Sequence, residues 1–193
     1  STNVMGTVNL LEAVRSINSV EAVVNITTDK CYENREWVWQ YRENDRLGGF
    51  DPYSSSKACA EFVTTAYRNS FLTEEGIQLA SARAGNVIGG GVWSGDRLVP
   101  DCIKAFSENK EVEIRNPHAT RPWQHVLEPV RGYLELGLAL TKDAPKYAEA
   151  WNFGPGEDAA IDVGTLLGII TKNWKGKVKN VSNANEPHEA NFL

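Results

Sequence analysis

Two short runs carry residue types that could do chemistry. Tyr53-Ser54-Ser55-Ser56-Lys57 sets a phenol and an amine four residues apart, which on a helix places them on one face with about 5–6 Å between Cβ atoms. An ammonium beside a phenol favours the phenolate, and a phenolate can take the proton of a hydroxyl as hydride leaves the same carbon. The same spacing also occurs as a solvated pair on ordinary helices. The run contains Ser54-x-x-Lys57 as well, the opening of the nucleophile motif of penicillin-recognising enzymes. Its Lys-Thr-Gly companion is missing, and Ser107-Glu108-Asn109 only imitates Ser-Asp-Asn. Thr27-Thr28-Asp29-Lys30 is the second run, where hydroxyl, carboxylate and amine follow an apolar stretch. Ligands of open α/β sheets bind outside the carboxyl ends of strands; a Thr-Asp turn closing the strand is the alternative.

The elements that must position these runs follow from periodicity. Val4, Val8, Leu11 and Val14 recur at helical spacing from the first residues. Residues 20–27 form a β-branched run without polar alternation, which suits a strand buried on both faces of a parallel sheet. Residues 33–50 are polar, aromatic and irregular, a long loop over the strand end. Within it Trp37, Trp39 and Tyr41 alternate, to stack on a base or to pack the loop onto the body. Asp51-Pro52 supplies an N-cap carboxylate and a proline at the first helical position, so a helix should run from residue 52 to about 72. Gly76 ends it, and residues 77–84 give a second buried strand, completing a right-handed parallel crossover.

The fold class is therefore α/β. Further along, a glycine-rich join at 89–95 precedes a helix near 99–109, an alternating strand at 111–115, a long helix at 128–142 and a strand at 151–154. The last forty residues are polar and weakly patterned, and little is assigned to them.

Composition excludes several classes. The 193 residues carry 20 Lys plus Arg against 25 Asp plus Glu, a net charge of −5, with no basic block to track a phosphate backbone, so no nucleic-acid partner is expected. The apolar stretches fall far short of the roughly 18 uncharged residues of a bilayer span, so no membrane role is expected. Cys31, Cys59 and Cys102 are odd in number and lack a C-x-x-C pair, and His118, His125 and His188 have no partners at ligand spacing. Neither a disulfide framework nor a metal site is indicated, and a reducing, cytoplasmic setting is expected. The sequons at Asn25 and Asn180 are read as chance.

Taken together, these residues resemble the extended short-chain dehydrogenase/reductase family, and within it the nucleotide-sugar 4,6-dehydratases. The likeness runs through Asn3-Val4-Met5-Gly6-Thr7, Thr28-Asp29-Lys30, Tyr53-x-x-x-Lys57 and Arg83-x-x-Asn86-Val87-x-Gly89. It continues through Arg97-Leu98-Val99-Pro100, the run from Arg121 to Val126, Trp151-Asn152-Phe153-Gly154 and Pro187-His188-Glu189-Ala190. Each motif is weak alone; their order and spacing are specific. In this family the dehydratases carry Thr-Asp-Glu after the strand, or Thr-Asp-Lys in the type that acts on CDP-glucose, whereas the epimerases generally carry Ser-Ala or similar.

The resemblance implies a partial Rossmann-like doubly wound parallel sheet with a smaller C-terminal substrate-binding region. Residues 1–89 would hold the catalytic part of the NAD-binding domain, and 90–193 mainly the nucleotide-sugar region, with 119–154 returning to the first. It implies NAD as cofactor, with Asn3, Thr27, Tyr53 and Lys57 beside it, and CDP-glucose as substrate. Tyr53 would take the proton of the hexose 4-hydroxyl, Thr28 would hydrogen-bond the 4-oxygen, and Asp29 would protonate the departing 6-hydroxyl. Lys30 would stand where the C5-proton base sits, which requires surroundings that favour its neutral amine. Asn86, Arg121 and Asn152 would lie near the diphosphate, and Arg97 and Leu98 near the nucleoside. A homodimer through the helices at 1–18 and 52–72 is also implied.

One departure stands out. No Gly-x-x-Gly-x-x-Gly or Gly-x-Gly-x-x-Gly follows a strand and opens a helix, so the fingerprint that cradles the NAD pyrophosphate would precede Ser1. Two alternatives stay open: a different nucleotide-sugar dehydratase or epimerase, and a non-catalytic nucleotide-sugar-binding module.

Overall fold

The computed structural model describes residues 1–37, 39–156 and 159–181. The motif at 187–190, with His188, and Ser182 of the second sequon lie outside the described residues. The chain divides into two units, one made of residues 1–85 and 127–154, the other of 86–126 and 155–193.

The first unit is a three-layer sandwich. Its sheet has the order β1-β2-β7 with all pairs parallel, β1 being Ala22–Ile26, β2 Gln78–Ala84 and β7 Ala150–Phe153. Side chains alternate across the sheet. Val23 and Leu79 face helices α1 (Thr2–Arg15) and α2 (Pro52–Tyr67), where they pack with Leu11, Val14, Val63 and Leu72. Ala22, Val24, Ala80 and Ala82 face the other way, onto Leu136 and Leu140 of α4 (Leu127–Lys142), which the short α5 (Ala144–Tyr147) follows. The small alanines of β2 let that helix approach closely.

Two expectations are refined here, and the stop at Gly76 holds. β2 is buried along nearly its whole length, but β1 is only half-buried and Ile26 is 52% exposed. The expectation of a strand buried on both faces fails for β1 because, among the described residues, it has a neighbour along one edge only. The helix begins where the cap predicts, yet its α-helical part ends at Tyr67 and a π-helical turn, Arg68–Leu72, completes the span. Gly76 then reverses the chain at φ +77°, a left-handed conformation that glycine adopts without Cβ strain.

The second unit holds three strand pairs. β3 (Val87–Ile88) runs parallel to β6 (Gln124–His125), β4 (Glu111–Ile114) runs parallel to β9 (Lys177–Asn180), and β5 (Thr120–Pro122) is antiparallel to β8 (Ala160–Asp162). Helices α3 (Leu98–Ser107) and α6 (Val163–Asn173) close a core of Cys102, Phe106, Val112, Ile114 and Leu167. The elements at 160–180 fall in the tail to which the sequence assigns little. Asp162 caps α6 by accepting from Thr165 N at 2.7 Å, and the short strands flanking it complete pairs with partners far away in the chain.

Candidate active site

The amino end of α2 is organised by its cap. Asp51 Oδ1 accepts from the amides of Tyr53 and Ser54 at 2.8 and 3.0 Å, and Oδ2 accepts from Ser54 Oγ at 2.6 Å. The Ser54 hydroxyl and these amides hold the Asp51 carboxyl below its ordinary value, with a further contribution from the Lys30 charge. The loop returns across this helix end so tightly that a Cβ on Gly49 would sit 2.2 Å from Ser55 N, and Ser55 Oγ donates to Gly49 O at 3.0 Å.

Tyr53, in the first turn, is 47% exposed, and Lys57 follows one turn later, half-buried. Asn3 reaches from α1 to donate to Ser56 Oγ at 2.9 Å, while Ser56 Oγ donates to Tyr53 O at 2.7 Å. The amide of Asn3 is thereby tied to the turn between Tyr53 and Lys57. Past the carboxyl end of β1, Thr28 caps a 3-10 turn over Asp29–Cys31, donating from Oγ1 to Asp29 Oδ1 at 2.9 Å and accepting from Lys30 N at 3.4 Å. This turn packs against α2. The Thr-Asp run is therefore a strand-closing turn and also lies beside the Tyr-Lys helix, so the two sequence readings are compatible. The hydroxyl of Thr27 donates to Glu61.

Beneath these groups lies a buried polar network. Glu61, fully buried, accepts from Ser81 Oγ at 2.7 Å and from Arg83 Nη2 at 2.8 Å, besides Thr27. Burial pushes the Glu61 carboxyl up, but the Arg83 guanidinium and the two hydroxyls outweigh it and leave it below its ordinary value. Arg83, 4% exposed, also donates from Nη1 to Tyr32 Oη at 2.7 Å and to Glu43 O at 2.9 Å. Tyr32 Oη donates in turn to Asn152 Oδ1 at 2.7 Å, and Asn152 Nδ2 donates to Tyr41 O at 2.9 Å. Both side-chain amide atoms of Asn152 are thus engaged by the chain around 32–41. Burial pushes the Tyr32 phenol and the neighbouring Cys31 thiol each up to about 12.

The aromatic question of the loop is resolved by packing. Tyr41 stacks on Tyr32 with ring centroids 5.1 Å apart, Trp37 tilts against Tyr41 at 5.6 Å, and Trp39 stays 73% exposed. Trp37 and Tyr41 serve the loop's own structure.

The remaining sequence-chosen residues are in the second unit. Arg97, exposed, precedes α3 and lines a concave pocket of about 290 Å³ together with Val87, Trp93, Pro100 and Ile103. Leu98 packs instead against the core around Cys102 and Phe106. Arg121 is buried in β5, its Nη1 donating to Thr120 O at 2.8 Å, and Asn86 O accepts from Gln124 N at 3.0 Å beside β3. Among the described residues no three His, Cys, Asp or Glu side chains come together to hold a metal ion, and no helix is long and apolar enough to cross a membrane.

Glu61 and Tyr32 are not singled out by sequence reasoning, and Arg83 enters only within a motif. A signal for the pair exists nonetheless: Arg83 lies inside an apolar strand, where a charge must be paired, and Glu61 follows Lys57 by another helical step of four.

The sequence profile of the family described as GDP-mannose 4,6 dehydratase matches residues 1–184. The CDP-glucose 4,6-dehydratase of Salmonella typhimurium (strain LT2) is 52% identical over 199 aligned residues, covering all of this chain and 55% of that protein. This chain thus spans about half the length of that relative. The dTDP-glucose 4,6-dehydratase of Bacillus anthracis strain Ames, solved in complex with NAD, superposes with a TM-score of 0.78 at 23% identity, over 98% of this chain and 57% of that one. The UDP-glucuronic acid 4-epimerase of Bacillus cereus, solved with UDP-glucuronic acid and NAD, gives 0.80 at 22% identity, over 98% and 57%.

Proposed function

The chain belongs to the GDP-mannose 4,6 dehydratase family, and from that premise we propose that its parent protein is an NAD-dependent hydro-lyase converting CDP-D-glucose to CDP-4-keto-6-deoxy-D-glucose. The observation that carries the reading is the 52% identity to the Salmonella enzyme across the whole chain. The geometry agrees with it: a phenol and an amine one turn apart on α2 stand beside a turn that offers hydroxyl, carboxylate and amine.

The residues present fit NAD. Lys57 and Tyr53 offer an amine and a phenol one turn apart at the amino end of α2, with the Asn3 amide held beside them on Ser56, a set that suits a nicotinamide ribose, while Thr27 lies below them with its hydroxyl on Glu61. NAD held there would supply the hydride acceptor for oxidation at C4 and the hydride donor for C6. The chain's own groups handle the protons. Tyr53 takes the proton of the 4-hydroxyl while Thr28 hydrogen-bonds that oxygen. Lys30 removes the C5 proton, and Asp29 supplies one to the departing 6-hydroxyl. The first unit serves the dinucleotide and the chemistry, and the second the nucleotide, with Asn86 and Arg121 toward the diphosphate and Arg97 toward the nucleoside. Of the other two residues expected near substrate, Leu98 packs in the core of the second unit and Asn152 is held by Tyr32 and Tyr41 O in the first.

A homodimer fits the exposed Met5 and Leu10 of α1 and Cys59 and Phe62 of α2, two helices that pack side by side. A cytoplasmic enzyme of deoxysugar synthesis for surface polysaccharide such as lipopolysaccharide completes the reading; its three cysteines are unpaired thiols. The test incubates the full-length protein with NAD and CDP-glucose and follows the 4-keto product by its alkaline absorbance, with other nucleotide hexoses in parallel. Product from CDP-glucose at the highest kcat/KM is expected. Product only from another nucleotide hexose overturns the substrate, and no product from any overturns the reading.

A further inference from the structure

We propose that Glu61, paired with Arg83, is the positioning residue that sets the catalytic helix against the Thr28-Asp29-Lys30 turn; this rests on the function proposed above. Glu61 follows Tyr53 and Lys57 on α2 at successive steps of four, so the three share one flank of the helix. The sheet surface under that flank changes character along the strands. Val23 and Leu79 are apolar, the paired Asn25 and Ser81 are polar, and Thr27 and Arg83 at the carboxyl ends are polar and charged. The helix matches this gradient step for step. Val63 packs in the apolar layer, Thr64 Oγ1 accepts from Asn25 Nδ2 at 2.7 Å, and Glu61 collects Thr27, Ser81 and Arg83.

Rolling α2 by one residue, about 100°, would strand a buried carboxylate away from its guanidinium, a costly arrangement. Sliding it by one turn would do the same. The pair thus selects one register of the helix on the sheet, and that register places Tyr53 and Lys57. The selection reaches the facing turn directly, because the Thr27 that Glu61 holds is the residue before Thr28. It also reaches the 33–50 loop, because Arg83 donates to Tyr32 and to Glu43 O. Stability alone does not account for the pair, since buried ion pairs replaced by apolar groups of similar volume often leave a protein as stable or more so.

The test replaces both charges at once, Glu61→Leu with Arg83→Met, in the full-length protein. The variant is expected to fold with a melting temperature about 5–10 °C below wild type, because Thr27, Ser81 and Glu43 O each lose a partner. Its kcat, expressed per mole of folded enzyme, should fall about tenfold or more, as small misplacements of reacting groups cost that much or beyond, while KM for the nucleotide sugar stays within about threefold. A folded double variant with wild-type kcat overturns the inference. If the double variant does not fold, Glu61→Gln is read in the same way, because it keeps the shape while removing the charge and turning one of the two acceptor oxygens into a donor. An unchanged kcat there overturns the inference too. Wild-type protein inactive on every nucleotide hexose is a different outcome, which removes the functional reading and the positioning role with it.

Discussion

Tyr32 Oη lies 2.7 Å from Asn152 Oδ1, although the two residues are 120 positions apart in the chain. This bond joins the chain leaving the candidate catalytic turn to the last strand of the first unit, with the Arg83 guanidinium completing the junction. Tyr32→Phe keeps the stack on Tyr41 but leaves Arg83 Nη1 and Asn152 each short of a partner. A loss of about 1–3 kcal/mol in urea unfolding is expected, with faster amide exchange across residues 33–50. Unchanged exchange in that loop would show that the hydroxyl does not anchor it.

The acid limb of stability should report Glu61. Its carboxyl binds a proton less readily folded than unfolded, so its contribution is present above the unfolded carboxylate pKa of about 4.3 and is lost as pH falls through the lower folded value. Urea midpoints measured from pH 7 down to 3 should fall more steeply in wild type than in Glu61→Gln. Parallel curves would assign the acid loss to other carboxylates.

The three thiols should differ in reactivity. Burial pushes Cys31 up to about 12 and Cys102 up to about 11, whereas Cys59 is exposed on α2. A thiol reagent at pH 8 is expected to titrate one cysteine in the native chain and three in denaturant. Slow modification of Cys59 in the full-length protein would show that the α2 face is covered there. The buried thiols also stabilise only while neutral, so their contribution is full below the ordinary thiol pKa of about 8.5 and is lost as pH rises toward 11–12.

Gly49 is needed for closeness, since its Cβ position is occupied by the backbone of Ser54 and Ser55. Gly49→Ala should push the loop off the amino end of α2 and weaken the Asp51 cap, at about 1–3 kcal/mol by thermal or urea unfolding. A variant as stable as wild type would show that the loop moves aside freely.

Lys30→Ala separates the two halves of the proposed reaction. Oxidation at C4 should persist, seen as reduced cofactor in the near-ultraviolet, while elimination of water falls by about 10²–10⁴-fold, the usual contribution of a general base. Elimination at the wild-type rate would remove Lys30 from that role.

Much of this protein is determined by local sequence. Asp51-Pro52 starts α2, Gly76 turns the chain, and the runs at 20–27 and 77–84 form neighbouring parallel strands, because caps, proline, glycine and side-chain period act over a few residues. The family is legible in the order of its motifs for the same reason. Tertiary structure alone decided what depends on distant neighbours. β1 is half-exposed because its burial is set by which strands flank it, and the pairs at 160–180 exist because their partners lie 38 or more residues away. Glu61 looks like any helix-surface glutamate until Thr27, Ser81 and Arg83 are brought around it from 34, 20 and 22 positions away. Burying that charge is favourable only once all three arrive together, which no local window of sequence contains.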